Sequence, residues 1–224
     1  MSSLCLALQA ELARPGHFDE GVEAARNACV CGASLAAAAI TAAAYYDNPI
    51  TGLPALRACM ERLAALPLES SAVDVWRVAL RPDVLAPGGT QPFTPGFGHA
   101  TPPQAAEALA GCRRLAAAEP TALRCAFVAE LHAALSAIAG PLNATGLAAL
   151  ALLDAGVDLD AAERLYLSWR IAGTLAEAQR ARSAGVGAFP FLSEGYVYEG
   201  ALPAQRTFDY EELLTRVGIT GDDD

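Results

Sequence analysis

Apart from Ser34, Thr41 and the tyrosine hydroxyls, the run from Ala33 to Tyr46 is apolar and filled with alanine. Alanine is the best helix former, so this stretch is committed to a helix before anything around it is considered. The run is too short to cross a bilayer, which takes about 20 residues. A helix that is apolar on every side is buried all round or lies in a subunit interface. The pattern predicts a helix over 34–46, broken by Asp47-Asn48-Pro49-Ile50-Thr51-Gly52.

The rest of the chain repeats this writing in weaker form. More than half of the 224 residues are apolar, and β-branched residues are scattered, which favours an all-α protein. Helices are expected from Leu4 to Ala13, from Asp19 or Glu20, from Pro54 to Ala65, and from Ser71-x-x-Asp74 towards Arg81. Pro82 to Pro95 reads as a proline- and glycine-rich crossing. Further helices are expected from Pro102 to Ala118, Pro120 to Ala139, Asn143 to Ala155 and Asp160 to about Ser183. Tyr196-Val197-Tyr198 is the only strand-like stretch, and Asp209-x-x-Glu212 opens a last short helix.

Charge and cysteine usage narrow the function classes. The net charge is −10, with Asp222-Asp223-Asp224 at the end, which disfavours nucleic acid as a partner. Every cationic residue is arginine, so Schiff-base and phosphate-loop lysines are excluded. Cys5, Cys29, Cys31, Cys59, Cys112 and Cys125 form no CxxC pair, and Cys29-x-Cys31 reads as buried free thiol. With no metal-ligand pattern, no membrane span and no signal peptide, a reduced cytoplasmic compartment is expected.

The richest stretch is Thr94-Pro95-Gly96-Phe97-Gly98-His99-Ala100-Thr101-Pro102-Pro103. Two glycines allow positive φ and close backbone approach, so main-chain NH groups there are able to reach a bound molecule. Thr101 reads as an N-cap with Gln104 completing a capping box, which makes His99 a rigidly mounted polar contact.

Taken in order, Pro49-Ile50-Thr51-Gly52, Pro95-Gly96-Phe97-Gly98-His99, Pro141-Leu142-Asn143-Ala144-Thr145-Gly146, Arg170-Ile171-Ala172-Gly173 and Tyr196-Val197-Tyr198-Glu199-Gly200 resemble the citrate synthase and citryl-CoA lyase family. The resemblance runs from about Gly16 to Leu202, without the family's N-terminal portion. It implies a two-domain helical dimer. Residues 1–52 and 146–224 would form the large domain with its interface helices, and 53–145 the small domain carrying the GFGH turn.

The resemblance also implies roles. A coenzyme A thioester would be substrate or ligand, held against Pro95, Gly96, Phe97 and Gly98, with no permanently bound cofactor. His99 matches the histidine that polarises a keto group. Thr51 stands where the family has a thioester-oxygen donor histidine, and Thr145 where it has the aspartate base. Arg170 matches a carboxylate clamp, and His17 falls within a residue of a substrate-binding histidine, although by itself it reads as a loop histidine. His132 reads as packing or surface.

A hydroxyl can donate a hydrogen bond, but it takes up no proton near neutral pH, so ordinary citrate synthesis is not expected. Asp47 or Asp154 would have to supply a relocated base. Two function classes follow. One is an acyl-CoA-dependent acyltransferase or lyase acting on a carboxylic acid. The other is a non-catalytic member that binds or assembles with a complete paralogue, as a homodimer or a heteromer.

Overall fold

A computed structural model describes residues 2–13, 20–69, 73–85, 92–98 and 100–185. His17, His99, Ser71, the Tyr196-Val197-Tyr198 stretch and the helix expected from Asp209 lie outside the described residues. The described residues belong to one unit, Met1–Ala188.

The expected all-α class is found: nine helices appear among the described residues. They are α1 (Ser3–Leu12), α2 (Glu20–Val30), α3 (Leu35–Tyr45), α4 (Leu53–Ala64), α5 (Val73–Ala79), α6 (Pro102–Ala118), α7 (Leu123–Ala139), α8 (Ala144–Asp154) and α9 (Leu159–Ala184). None is long and apolar enough to cross a membrane.

Most starts follow the capping residues. Ser34 Oγ accepts from Ala37 N at 3.1 Å, and Asn143 Oδ1 accepts from Gly146 N at 3.0 Å. Gln104 reaches back to accept from Thr101 N at 2.7 Å, as a capping box requires. Helix α7 begins later than Pro120 suggests, because Ala122 N first donates to Glu119 O at 2.9 Å and closes a turn. The crossing between α5 and α6 holds a short antiparallel pair, β1 (Val84–Leu85) with β2 (Pro92–Phe93).

Two apolar clusters organise the helices. The larger gathers Leu4 and Leu8 of α1, Leu56 of α4, Trp76 of α5, Cys112 of α6, Val128 of α7, Leu150 of α8 and Tyr166 of α9. Helix α8 runs through its centre, buried continuously from Thr145 to Leu152. Ion pairs tie its rim. Arg124 on α7 holds Asp154 at 3.0 Å, and Arg57 on α4 reaches both Asp160 and Glu163 of α9 at 2.8 Å. The smaller cluster joins Ala25 and Cys29 of α2, Ala38, Ala42 and Tyr46 of α3 and its cap, and Ala178 of α9.

One expectation is narrowed to its interface alternative and one needs correcting. Within this chain α3 is not buried all round: only Ala38 and Ala42 are buried, while Ile40 is 72% exposed. Among the described residues it packs mainly against α2 and α9. Cys29 and Cys31 are not both buried, since Cys31 is exposed. Residues two apart on a helix do not share a face, and Cys31 falls just past the end of α2.

Candidate functional site

Four segments, two of them consecutive in the chain, gather around the N-terminus of α8. The first is the Pro95–Gly98 turn. Its glycines have φ of 82° at Gly96 and 74° at Gly98, the region that glycine alone enters freely. Phe97 N donates to Thr94 O at 2.9 Å, and Gly98 N donates to Pro141 O at 2.6 Å. Asn143 closes the junction, donating from N to Gly96 O and from Nδ2 to Gly98 O, each at 3.2 Å. The approach is so tight that a Cβ on Gly146 would lie 2.1 Å from Gly96 O. Pro95, Gly96 and Phe97 are buried, and the amides of Phe97 and Gly98 are spent on protein carbonyls.

The second segment is the turn between α3 and α4. Asn48 Oδ1 accepts from Ile50 N at 2.9 Å and from Thr51 N at 2.8 Å, an Asx turn that fixes the loop. This turn presents the Thr51 carbonyl to α8. Thr145 Oγ1 donates to it at 2.6 Å, and Tyr166 OH approaches the same oxygen at 3.2 Å. Thr145 Oγ1 and Tyr166 OH are themselves 3.0 Å apart. One carbonyl with two lone pairs therefore serves two hydroxyls, and both hydroxyl protons are used inside the triad.

The remaining segments are α9 and the end of α3. Tyr166, Arg170 and Thr174 recur every four residues and so share one face of α9. Tyr46 packs edge-on to Tyr166 with centroids 6.3 Å apart, and its hydroxyl lies 2.8 Å from Thr174 Oγ1. The Arg170 guanidinium, 2% exposed, sits 5.6 Å above the Tyr46 ring and donates to Leu12 O at 3.4 Å. Ring face and helix C-terminus both carry partial negative charge, so this pocket suits a buried cation.

The structure thus brings Thr51 and Thr145 into direct contact and links Arg170 to them through two tyrosines. Neither Tyr46 nor Tyr166 stands out in the sequence as a site residue. The one signal for Tyr166 is its four-residue spacing from Arg170. Neither carboxylate considered as a relocated base joins the triad. Asp154 lies nine residues along α8 from Thr145, about 13 Å at 1.5 Å per residue. It accepts from both the backbone and the side chain of Arg124. Asp47 is exposed.

Among the described residues, the ionisable groups nearby are not poised for chemistry. Cys59 Sγ lies where a Cβ on Gly96 would come within 2.5 Å, and burial pushes its thiol up to about 12, so it stays neutral. His132 on α7 is shifted down, first by partial burial and then by Arg113. Among the described residues no group of three or more acidic, histidine or cysteine side chains could hold a metal ion.

Among the described residues, the site offers a rigid hydrogen-bonded floor and a buried guanidinium, with no general base in contact with the triad. No family model matches this chain, and no curated protein matches it.

Proposed function

We propose that this chain is a citrate synthase-like protein that binds an acyl-CoA thioester and does not carry out ordinary citrate synthesis. The observation that carries the reading is the Thr145 hydroxyl donating to Thr51 O at 2.6 Å. It joins the two positions that the resemblance places in one catalytic centre. It also joins them as a closed structural bond, where proton transfer would need an ionisable pair. Losing a positioned acid or base costs about 10² to 10⁴ in rate for each group. Because the amides of Phe97 and Gly98 are spent, the part of the Pro95–Gly98 turn in this reading is to mount His99, the next residue. Arg170, buried against the Tyr46 ring and Leu12 O, holds the floor beneath the ligand in this reading.

Two measurements test it together. Millimolar CoA or acetyl-CoA should raise the melting temperature, and no shift would overturn the binding reading. Thiol release from acetyl-CoA with oxaloacetate should stay at background. Turnover at an ordinary enzyme's rate would mean that a base other than Thr145 serves the site.

A second reading, assembly with another copy or with a complete family relative, is favoured by the exposure of Ile40 on an otherwise apolar helix.

A further inference from the structure

Beside the triad lies a hollow of about 400 Å³, lined by Ala44, Tyr45, Asn48, Ile50 and Thr51. At about 30 Å³ per water it holds on the order of ten waters against mostly apolar walls. Such waters are poorly held, and displacing them with an apolar body is favourable.

The lining sets the chemistry of what fits. Among the described residues none of these five lining side chains is ionised at neutral pH, so a carboxylate or phosphate here would lose its hydration without gaining a counter-charge from them. The Asn48 amide is already spent on Ile50 N, Thr51 N and Tyr45 O. The main-chain groups of Thr51 are spent as well, its N on Asn48 and its O on Thr145. The Thr51 hydroxyl differs. Its contacts among the described residues are two long ones with Asn48, at 3.4 and 3.5 Å. In the first it accepts from Asn48 Nδ2, and in the second it donates to Asn48 Oδ1 at 3.5 Å, so among the described residues its proton has one long, weak acceptor.

We propose that this hollow binds a compact, uncharged molecule with an apolar body, whose carbonyl-type oxygen accepts from the Thr51 hydroxyl. The hollow itself is too small to seat a macromolecule, since a stable interface covers about 800 Å² on each partner; the exposed Ile40 and Tyr45 beside it belong to the assembly reading. The proposal goes beyond the acyl-CoA reading, because it requires no coenzyme.

The test is calorimetric titration of the full chain with methyl cyclohexanecarboxylate and, separately, with cyclohexanecarboxylate, which has the same ring but a charge. The ester should bind at millimolar concentration, and the carboxylate at least tenfold more weakly. Ala44→Leu, at an exposed helical position that tolerates the change, should abolish ester binding by filling the hollow. Thr51→Val should weaken it about fivefold, the effect of one hydrogen bond. Failure of the ester to bind overturns the proposal. So does ester binding that survives Ala44→Leu, or a carboxylate bound as tightly as the ester.

Acetyl-CoA separates the two readings. If it stabilises wild type and Ala44→Leu alike while the ester does not bind, the acyl-CoA reading stands and this proposal falls. If the ester binds and acetyl-CoA does nothing, the reverse holds. Ala44→Leu changing the oligomeric state, with no ester binding, would assign the face to a second copy and also overturn the proposal.

Discussion

Helices α3 and α8 are written in almost the same alphabet, LAAAAITAAAY against ATGLAALALLD, yet they live in opposite surroundings. In α8 every residue from Thr145 to Leu152 is buried, whereas in α3 only Ala38 and Ala42 are. The difference lies in the neighbours. Helix α8 is enclosed by α1, α4, α6 and α7, while among the described helices α3 rests mainly on α2 and α9. Apolar composition therefore decides that both segments are helical, and the surrounding elements decide which one is core. It also explains where polar groups are tolerated. Thr145 is buried in α8 because Thr51 O and Tyr166 OH satisfy it, and α3 ends beside a hollow with a spare hydroxyl.

If enclosure is the difference, substitutions in α8 should be costly and those in α3 nearly silent. The largest effect is expected at Gly146. Its added Cβ would meet backbone, Gly96 O at 2.1 Å and Gly96 C at 3.0 Å, so no side-chain rotation relieves the clash. Gly146→Ala should destabilise by about 4 kcal/mol or more in urea unfolding, or prevent folding. A cost under about 1 kcal/mol would mean that the Pro95–Gly98 turn is not seated on α8.

Next comes Leu150, fully buried at the centre of the main cluster. Leu150→Ala should cost about 3 kcal/mol, the transfer loss plus a cavity. The same urea experiment reads it, and a value near that of a surface site would remove the distinction between the two helices.

A smaller effect should appear only as a pH dependence, at the C-terminal end of α8. Burial raises the Asp154 carboxyl above its usual 3.8, and the hydrogen bonds from Arg124 pull it back only in part. A folded-state value above the unfolded one means that the native state holds the proton more tightly. The contribution of Asp154 to stability is then greatest below about 3.8 and is lost as pH rises through the folded value. Against Asp154→Asn, which cannot titrate, the relative stability of wild type should fall across that window. A rise would mean that Arg124 outweighs burial.

Much of the fold can be read from the chain, for a local reason. Caps such as Ser34, Asn143 and Thr101 with Gln104 act within one turn, so their sequence positions carry the physics. The β1–β2 pair escapes notice because two-residue strands between prolines and glycines have no period to detect. The site divides in the same way. The resemblance expects Thr51 and Thr145 near one another, and the Thr145 hydroxyl reaches the Thr51 carbonyl. Tyr46 and Tyr166 join them only through contacts 128 and 115 residues apart in sequence, to Thr174 and Thr51, and no local pattern encodes those. The half-exposed state of α3 was equally hidden, since an all-round apolar helix gives no sign of which side lacks a neighbour.

The smallest effect is expected at Ile40, and it is the sharpest test of the comparison. At 72% exposure in the middle of α3, its side chain has little burial to lose. Ile40→Ala removes a β-branched residue from a helix interior and inserts the best helix former, a gain of about 0.4 kcal/mol. The net change should lie within about 0.5 kcal/mol, tending towards stabilisation, as at most surface sites. Unfolding at two protein concentrations separates the outcomes. A loss above about 1 kcal/mol that grows with concentration would show Ile40 covered in an assembly, because only association makes stability depend on concentration. In that case the contrast between α3 and α8 would belong to the isolated chain, and α3 would be the core of an interface.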